Sequence, residues 1–281
     1  VMKKALKLNV PIIYLNMVGG QDELVFDGGS FVVNDLGEII YQASSFQEEV
    51  FHLDIDLKIK KQNSKSSLTT RPKTTELKDV KSKPSLSENE SIYSALKLGL
   101  LDYVSKNKFT KVLIGISGGI DSALTAAICV DALGSENVLG VAMPSKYNSK
   151  ESLEDAITLS DNLGINLKII EIEKIVDSFR EVLANSLKEE LGQITDENIQ
   201  SRVRGNILMG LSNQTGAMVV STGNKSEMAV GYSTLYGDLA GGFALIKDLY
   251  KTKVYELSNY RNSISDAIPE NIISKEPSAE L

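Results

Sequence analysis

The chain has 281 residues, 42% of them hydrophobic, which is enough for one large or two ordinary domains with a buried core. Its formal net charge of -7 has the wrong sign for a general nucleic-acid surface, so nucleic acid is not expected as a partner. A single cysteine, Cys129, excludes a disulfide framework or a cysteine zinc cluster within the chain. We expect a cytoplasmic protein that has no membrane span.

The first 57 residues are predicted to hold the end of a helix followed by strands. The strands fall at residues 11–16, 30–34 and 38–42, and a turn joins the last two into a hairpin. Residues 58–90 are rich in Lys, Ser, Thr and Pro, a composition typical of an exposed linker. The lysines there could also attract an anionic partner, but a solvated tether is the preferred interpretation.

From residue 91 onward, a helix to about residue 106 precedes alternating strands and helices. The predicted strands are residues 112–116, 138–143, 167–172 and 218–222. The intervening helices are predicted to end at Gly134, Gly164 and Gly216, since glycine often terminates a helix. Short strands separated by long crossovers predict an α/β fold with a doubly wound parallel sheet. Ligands of such sheets bind beyond the carboxyl ends of the strands.

A glycine loop, residues 117–122 with the sequence SGGIDS, connects the first of these strands to an alanine-rich helix. Backbone N–H groups and the positive end of the helix dipole make such a turn an anion site, which the Ser117 and Ser122 hydroxyls would complete. We expect a phosphate chain there, although neither GxxxxGK[ST] nor GxGxxG is present. The alternative is an ordinary turn in which Asp121 and Ser122 only cap the helix.

Two carboxylates predict a magnesium site. Asp121, in the first turn of a phosphate-binding helix, would repel a bare anion, which implies a bridging divalent cation with oxygen ligands. The segment TGNKSE follows another predicted strand, where Thr222 could bind a ligand and Glu227 could share the cation with Asp121. Lysines further on, including Lys251, could neutralise phosphate charge. A solvated helix position is the alternative for Glu227.

The pattern SGGxDS resembles the pyrophosphate loop of the N-type ATP pyrophosphatases. The order SGGIDS, NIQSRVRGNILMG, STGNKSE, YGD, KDLYKTKVYEL and KEPSAEL, within residues 91–281, is similar to the NAD synthetases. Residues 1–57, which contain NMVGGQDELVFDGGS, resemble the last part of the nitrilase-like glutaminase domain of the glutamine-dependent type. The resemblance implies an adenine nucleotide alpha hydrolase-like fold preceded by a partial nitrilase-like α-β-β-α segment, and we expect both parts to be truncated.

In that family, ATP activates the nicotinate carboxylate of deamido-NAD as an adenylate, and ammonia displaces AMP to give NAD. Asp121 and Glu227 would bind Mg²⁺, Lys251 would contact phosphate, and Asp238 would lie near the ammonia; Asp121, Lys251 and Asp238 are the catalytic candidates. The residues that the resemblance assigns to deamido-NAD are Asn198, Glu227 and Tyr232. Those that it assigns to ATP are Gly115, Ile116, Ser117, Gly118, Gly119, Ile120, Asp121, Ser122, Thr222 and Ser278.

The nitrogen source is expected to be free ammonia. A nitrilase-type glutaminase needs a Glu-Lys-Cys triad whose motifs lie upstream of the segment resembled here. Cys129 lies in an apolar helical run and is interpreted as a core residue, so this chain should not hydrolyse glutamine.

Oligomerisation and function leave alternatives open. The resemblance implies a homodimer or higher homo-oligomer, with an interface that includes the predicted helix at residues 195–213; its apolar stripe could instead face the core of its own domain. The chain could also be another N-type ATP pyrophosphatase, such as a GMP, asparagine or argininosuccinate synthetase or a tRNA-modifying ligase. A third possibility is a non-catalytic nucleotide-binding fragment.

Overall fold

A computed structural model describes residues 1–55, 85–146 and 149–276. The chain divides into two compact units, Val1–Ser91 and Ile92–Leu281. Most of the predicted linker, residues 58–84, lies outside the described residues. Residues 88–90, the last three of the predicted linker, form the first turn of a helix that begins at Glu88. None of the helices in these three described ranges is long and apolar enough to cross a membrane.

Residues 1–55, described in the first unit, contain one short helix and five strands. They are α1 (Met2–Leu8), β1 (Ile12–Tyr14), β2 (Val18–Gln21), β3 (Leu24–Asp27), β4 (Phe31–Val33) and β5 (Ile39–Gln42). Strands β1, β4 and β5 form an antiparallel sheet, as their apolar runs predict, while β2 and β3 form a separate hairpin. The β2–β3 hairpin is absent from the sequence-based prediction because Gly19, Gly20 and Asp22 are poor strand formers.

The second unit contains a parallel sheet and the helices that cover it. The helices are α2 (Glu88–Lys106), whose first four residues belong to the first unit, α3 (Ile120–Leu133), α4 (Lys150–Leu163), α5 (Glu173–Leu187), α6 (Gln193–Thr215), α7 (Lys225–Val230), α8 (Lys251–Ile264) and α9 (Glu270–Ser274). The strands are β6 (Val112–Gly115), β7 (Val138–Ala142), β8 (Asn166–Ile169), β9 (Met218–Ser221) and β10 (Phe243–Ala244).

The strand order β10-β9-β6-β7-β8 confirms the predicted doubly wound parallel sheet. From the central β6 the chain adds β7 and β8 on one side, and then returns to add β9 and β10 on the other. The order therefore reverses between β6 and β9, which is where ligands of open α/β sheets bind. Gly164 and Gly216 end α4 and α6 with φ of 66° and 73°, as predicted.

Helices cover both faces of this sheet. Alternating side chains of β6 point to opposite faces: Val112 and Ile114 join the core beneath α2, α3, α4, α8 and α9, while Leu113 joins the core beneath α5 and α6. The apolar stripe of α6 (Ile199, Val203, Ile207, Leu211) packs into this second core. The stripe therefore packs against its own domain. Helical periodicity alone could not distinguish this arrangement from an interface between copies of the chain.

A partly buried ion pair joins α3 to α8, and α2 adds a hydrogen bond to it, on the face of the sheet that Val112 and Ile114 occupy. Arg261 of α8 donates from Nε and Nη2 to the Asp131 carboxylate of α3 at 2.6 and 3.0 Å, and the Tyr93 hydroxyl of α2 donates to the same carboxylate at 2.6 Å. Burial raises the pKa of the Tyr93 phenol far above its usual range, and the nearby Asp131 carboxylate adds to the rise. The phenol therefore remains a donor at any ordinary pH.

Replacing Arg261 with methionine should destabilise the second unit by roughly 2 to 3 kcal/mol, because the Asp131 carboxylate would be left without its bidentate partner in a largely buried position. Urea unfolding measures the change. The matched control is Lys106→Met, which removes an exposed pair with Asp102 and should change the free energy of unfolding by less than about 0.5 kcal/mol. Equal losses in the two variants would contradict a structural role for the Arg261 pair.

Candidate active site

A cleft of about 700 Å³ lies at the carboxyl ends of the strands, where the sheet order reverses. Its walls come from the glycine loop, the ends of β7 and β9, and helices α4, α6, α7 and α8. The structure brings most of the sequence-predicted residues together here, namely Gly115, Ile116, Ser117, Gly118, Gly119, Ile120, Asp121, Ser122, Thr222, Glu227, Tyr232, Asp238 and Lys251. Ser278 lies outside the described residues.

The glycine loop adopts a conformation that requires glycine at position 118. Gly118 has φ of 83°, and a Cβ atom there would lie 2.2 Å from the backbone oxygen of Ser152 in α4. The Ser122 hydroxyl donates to the Gly119 carbonyl at 2.9 Å, and the Ser117 hydroxyl accepts from the Gly119 N–H at 3.2 Å. Both hydroxyls thus form hydrogen bonds within the loop, and both residues line the cleft; their contact with a ligand stays a prediction.

Asp121 lies in the first turn of α3 and meets two other segments. Its Oδ2 atom accepts a hydrogen bond from the Lys251 ammonium, and its Oδ1 atom accepts one from the Asn224 side-chain amide at 2.9 Å. Lys251 is the first residue of α8, and its backbone N–H donates to the Ser226 hydroxyl at 3.0 Å. A lysine is therefore held against the carboxylate at the mouth of the glycine loop.

Glu227 is fixed by a capping box at the start of α7. The Asn224 N–H donates to the Glu227 carboxylate, and the Glu227 N–H donates to the Asn224 side-chain oxygen, each at 3.0 Å. Burial raises the pKa of the Glu227 carboxyl, and the negative charges of Asp121 and Asp238 add to the rise, while the Asn224 backbone donor and Lys251 oppose it. Excess negative charge in the cleft favours a bound cation.

Asp238 is presented by a loop that packs on α6. Its backbone N–H donates to the Ser201 hydroxyl at 3.1 Å, and its carboxylate accepts from the Thr234 N–H at 2.7 Å. Asn198 is not among the residues that line the cleft: its side-chain oxygen accepts from the Thr234 hydroxyl at 2.7 Å. Asn198 therefore supports this loop through Thr234 and does not itself line the cleft.

Several lining residues are not assigned a role by the sequence analysis. Asn224 stands within the quoted segment STGNKSE, and the spacing of Asn224 and Glu227 is that of a capping box, a signal that could have revealed it. Lys275 donates from Nζ to the Ser152 hydroxyl at 2.5 Å, beside the glycine loop. This contact links segments that are distant in sequence, so no local pattern predicts it.

A magnesium ion fits this donor set only together with phosphate. Within the described ranges, no group of three or more His, Cys, Asp and Glu side chains could hold a metal alone. Mg²⁺ is commonly bound by one or two carboxylates, the remaining positions being filled by water and substrate phosphates. Asp121 and Glu227 beside a glycine loop match that arrangement.

A doubly wound parallel sheet with a glycine loop, two carboxylates and a lysine at its reversal point defines a nucleotide-binding α/β domain of the ATP pyrophosphatase type. Residues 92–281 match the NAD synthase family. The chain belongs to the NAD synthase family.

Two glutamine-dependent relatives each match 99% of this chain. The glutamine-dependent NAD(+) synthetase of Thermotoga maritima is 49% identical over 300 residues, covering 99% of this chain and 52% of that protein. The solved structure of a glutamine-dependent NAD+ synthetase from Acinetobacter baumannii in complex with ADP has a TM-score of 0.87 at 46% identity, covering 99% of this chain and 50% of that one. The solved structure of an NH3-dependent NAD synthetase from Campylobacter jejuni has a TM-score of 0.60 at 36% identity, covering 66% of this chain and 77% of that one. The chain spans about half the length of the curated relatives it matches.

Gly118→Ala should destabilise the protein by about 2 kcal/mol or more and abolish ATP binding, because alanine is strained at this positive φ and its methyl group would meet Ser152. Calorimetric titration with ATP and urea unfolding measure the two effects. In Gly210→Ala, a control on α6 where a Cβ atom meets nothing within 4 Å, stability should rise by roughly 0.5 to 1 kcal/mol with unchanged ATP binding. Normal ATP affinity in Gly118→Ala would refute the role given to this loop.

Proposed function

We propose that this chain carries the synthetase activity of an NAD synthetase, in which ATP adenylates the nicotinate carboxylate of deamido-NAD and ammonia then forms the amide. The observation that carries the proposal is the contact of Asp121 with Lys251 beside the glycine loop, at the reversal point of the sheet. Family membership of residues 92–281 supports deamido-NAD as the substrate over the substrates of other ATP pyrophosphatases.

The reaction needs charge stabilisation more than a protein nucleophile. A carboxylate oxygen of deamido-NAD attacks the α-phosphorus of ATP, and pyrophosphate leaves. The lone pair of ammonia then attacks the acyl carbon, a C–N bond forms, AMP leaves and a proton is released. Negative charge grows on phosphate oxygens in the first step, where fixed donors and cations lower the barrier.

The chain's residues divide these tasks. The N–H groups of the glycine loop and the Lys251 ammonium would hold the phosphates, with Thr222 at the strand tip and Ser278 as further ATP contacts. Magnesium, held by Asp121 and Glu227, would supply Lewis-acid stabilisation of the phosphate charge.

The second substrate would occupy the opposite part of the cleft. Tyr232 and Glu227 would contact deamido-NAD, with Asn198 acting through the Thr234 loop. Asp238 also lines the cleft, and its negative charge acts on Glu227. A carboxylate there could orient ammonia and accept its proton.

The nitrogen donor would be free ammonia. Cys129 is fully buried within α3, and burial raises the pKa of its thiol far above the usual range, so it is a poor nucleophile. The chain has no second cysteine. Glutamine should therefore not support the reaction of this chain.

ATP–pyrophosphate exchange tests the proposal. Deamido-NAD should stimulate exchange, whereas xanthosine monophosphate and aspartate should not, and ammonium but not glutamine should then yield NAD. Lys251→Met should lower exchange by about 100-fold, the usual order for losing one charge-stabilising donor. The control Lys253→Met, on the same helix but paired with Glu256 at 2.5 Å, should retain it. Exchange driven by another acceptor, or equal losses in both lysine variants, would contradict the proposal.

Self-association through the surface beside the cleft is a second part of the proposal. Apolar side chains are exposed along one short stretch that follows Glu227: Met228, Val230, Tyr232, Leu235 and Tyr236. The Leu235 carbonyl accepts from Arg202 of α6 at 3.2 Å, so the stretch is attached to that helix. A homodimer or higher homo-oligomer that covers this surface would place the deamido-NAD region of the cleft near the interface.

Leu235→Glu should convert the oligomer to a monomer and weaken deamido-NAD binding, because it places a charge in an apolar contact. Sedimentation velocity at micromolar concentration and titration with the dinucleotide measure both effects. Leu36→Glu is the control: Leu36 is 60% exposed, against 67% for Leu235, but lies in the first unit. A parent chain that is monomeric yet binds deamido-NAD tightly would exclude this arrangement.

A further inference from the structure

Asn224 lies between the two carboxylates of the cleft and is completely buried. Its side-chain N–H donates to Oδ1 of Asp121 at 2.9 Å, and its side-chain oxygen accepts from the Glu227 N–H at 3.0 Å. Its own backbone N–H donates to Oε2 of Glu227 at 3.0 Å. One residue is thus hydrogen-bonded to both acidic side chains, which come from helices α3 and α7.

Only part of this arrangement is needed to begin α7. A helix N-cap requires an acceptor for an N–H of the first turn, and Ser, Thr, Asp and Asn all supply one. Among these four, asparagine alone adds an amide N–H that can donate to a carboxylate. The bond to Asp121 therefore goes beyond capping, and it connects residues 103 positions apart in the chain.

The bond also restrains how Asp121 is oriented. Oδ2 of Asp121 accepts from Lys251 and Oδ1 accepts from Asn224, so both oxygens of the carboxylate are held. Lys251 is a long side chain on α8, and its ammonium can turn toward a phosphate. The Asn224 amide is short, buried and fixed at a helix start, so it restrains Asp121 independently of Lys251.

We propose that Asn224 is a positioning residue for magnesium-dependent ATP binding: it sets the separation and orientation of the Asp121 and Glu227 carboxylates. The inference rests on the proposed function, which assigns those carboxylates to the ion. Without the Asn224 amide, Asp121 would be free to turn, and the ordering of the two carboxylates would have to occur when the ion binds.

Asn224→Ser separates positioning from folding, since serine keeps the cap but is too short to reach Asp121. The matched control is Asn262→Ser: the Asn262 side chain makes three hydrogen bonds, to backbone atoms of Ala267 and Ile268, against two for the Asn224 side chain, and it does not line the cleft. ATP affinity is measured by calorimetry with Mg²⁺ and again with EDTA, and the ratio of the two affinities is the magnesium-dependent gain. Urea unfolding reports the stability of each variant, and Asn224→Thr, which also caps, replaces any serine variant that fails to fold.

Asn224→Ser should reduce the magnesium-dependent gain by about tenfold while leaving the affinity in EDTA unchanged, and Asn262→Ser should keep the gain of the parent. In an Asp121→Ala background, Asn224→Ser should cause no further loss, because the effect passes through Asp121. If Asn224→Ser keeps the magnesium-dependent gain of the parent, the inference is overturned. It is also overturned if the variant loses as much ATP affinity in EDTA as in Mg²⁺; in both cases the proposed function stands. A parent whose ATP affinity does not depend on Mg²⁺ would overturn the proposed magnesium chemistry and the inference together.

Discussion

The carboxylate of Asp121 joins three segments that enclose the cleft. It lies at the start of α3 and accepts hydrogen bonds from Lys251 at the start of α8 and from Asn224 at the start of α7. Each of these residues lies at a helix start, where backbone N–H groups and the helix dipole favour anions. The cleft therefore combines backbone N–H groups that can bind an anion with two carboxylates and a lysine, a donor set that would suit a magnesium–nucleotide complex.

The rest of the second unit holds these helix starts at fixed positions. The central strand β6 leads into the glycine loop, and neighbouring β9 leads into the segment that carries Asn224 and Glu227. Behind the cleft, α3 and α8 are connected by the ion pair of Arg261 with Asp131. Because interiors are closely packed, a displacement of either helix would be transmitted to the contact of Lys251 with Asp121. Stability and binding are in this way linked through the same two helices.

Local sequence patterns were sufficient to predict the parallel sheet, its glycine helix ends and the glycine loop, because strand length, glycine position and apolar runs act over a few residues. Contacts between distant segments were not predictable in this way. The amide of Asn224 meets Asp121 across 103 positions, and the β2–β3 hairpin depends on pairing that its glycines disfavour locally. The stripe of α6 had the spacing of a packed surface, but only the fold decides that Val203 packs inward. The assignments of individual cleft residues to ATP, deamido-NAD and magnesium remain predictions.

Transfer of isotopic oxygen from deamido-NAD tests the central claim, that this cleft activates a carboxylate by adenylation. The nicotinate carboxylate is labelled with ¹⁸O, the purified chain is supplied with Mg²⁺, ATP and ammonium, and the products are analysed by mass spectrometry. Adenylation predicts one labelled oxygen in AMP and none in pyrophosphate, because the oxygen that attacks the α-phosphorus leaves with AMP. Label in pyrophosphate or inorganic phosphate, or NAD formation with no label in AMP, would contradict the account.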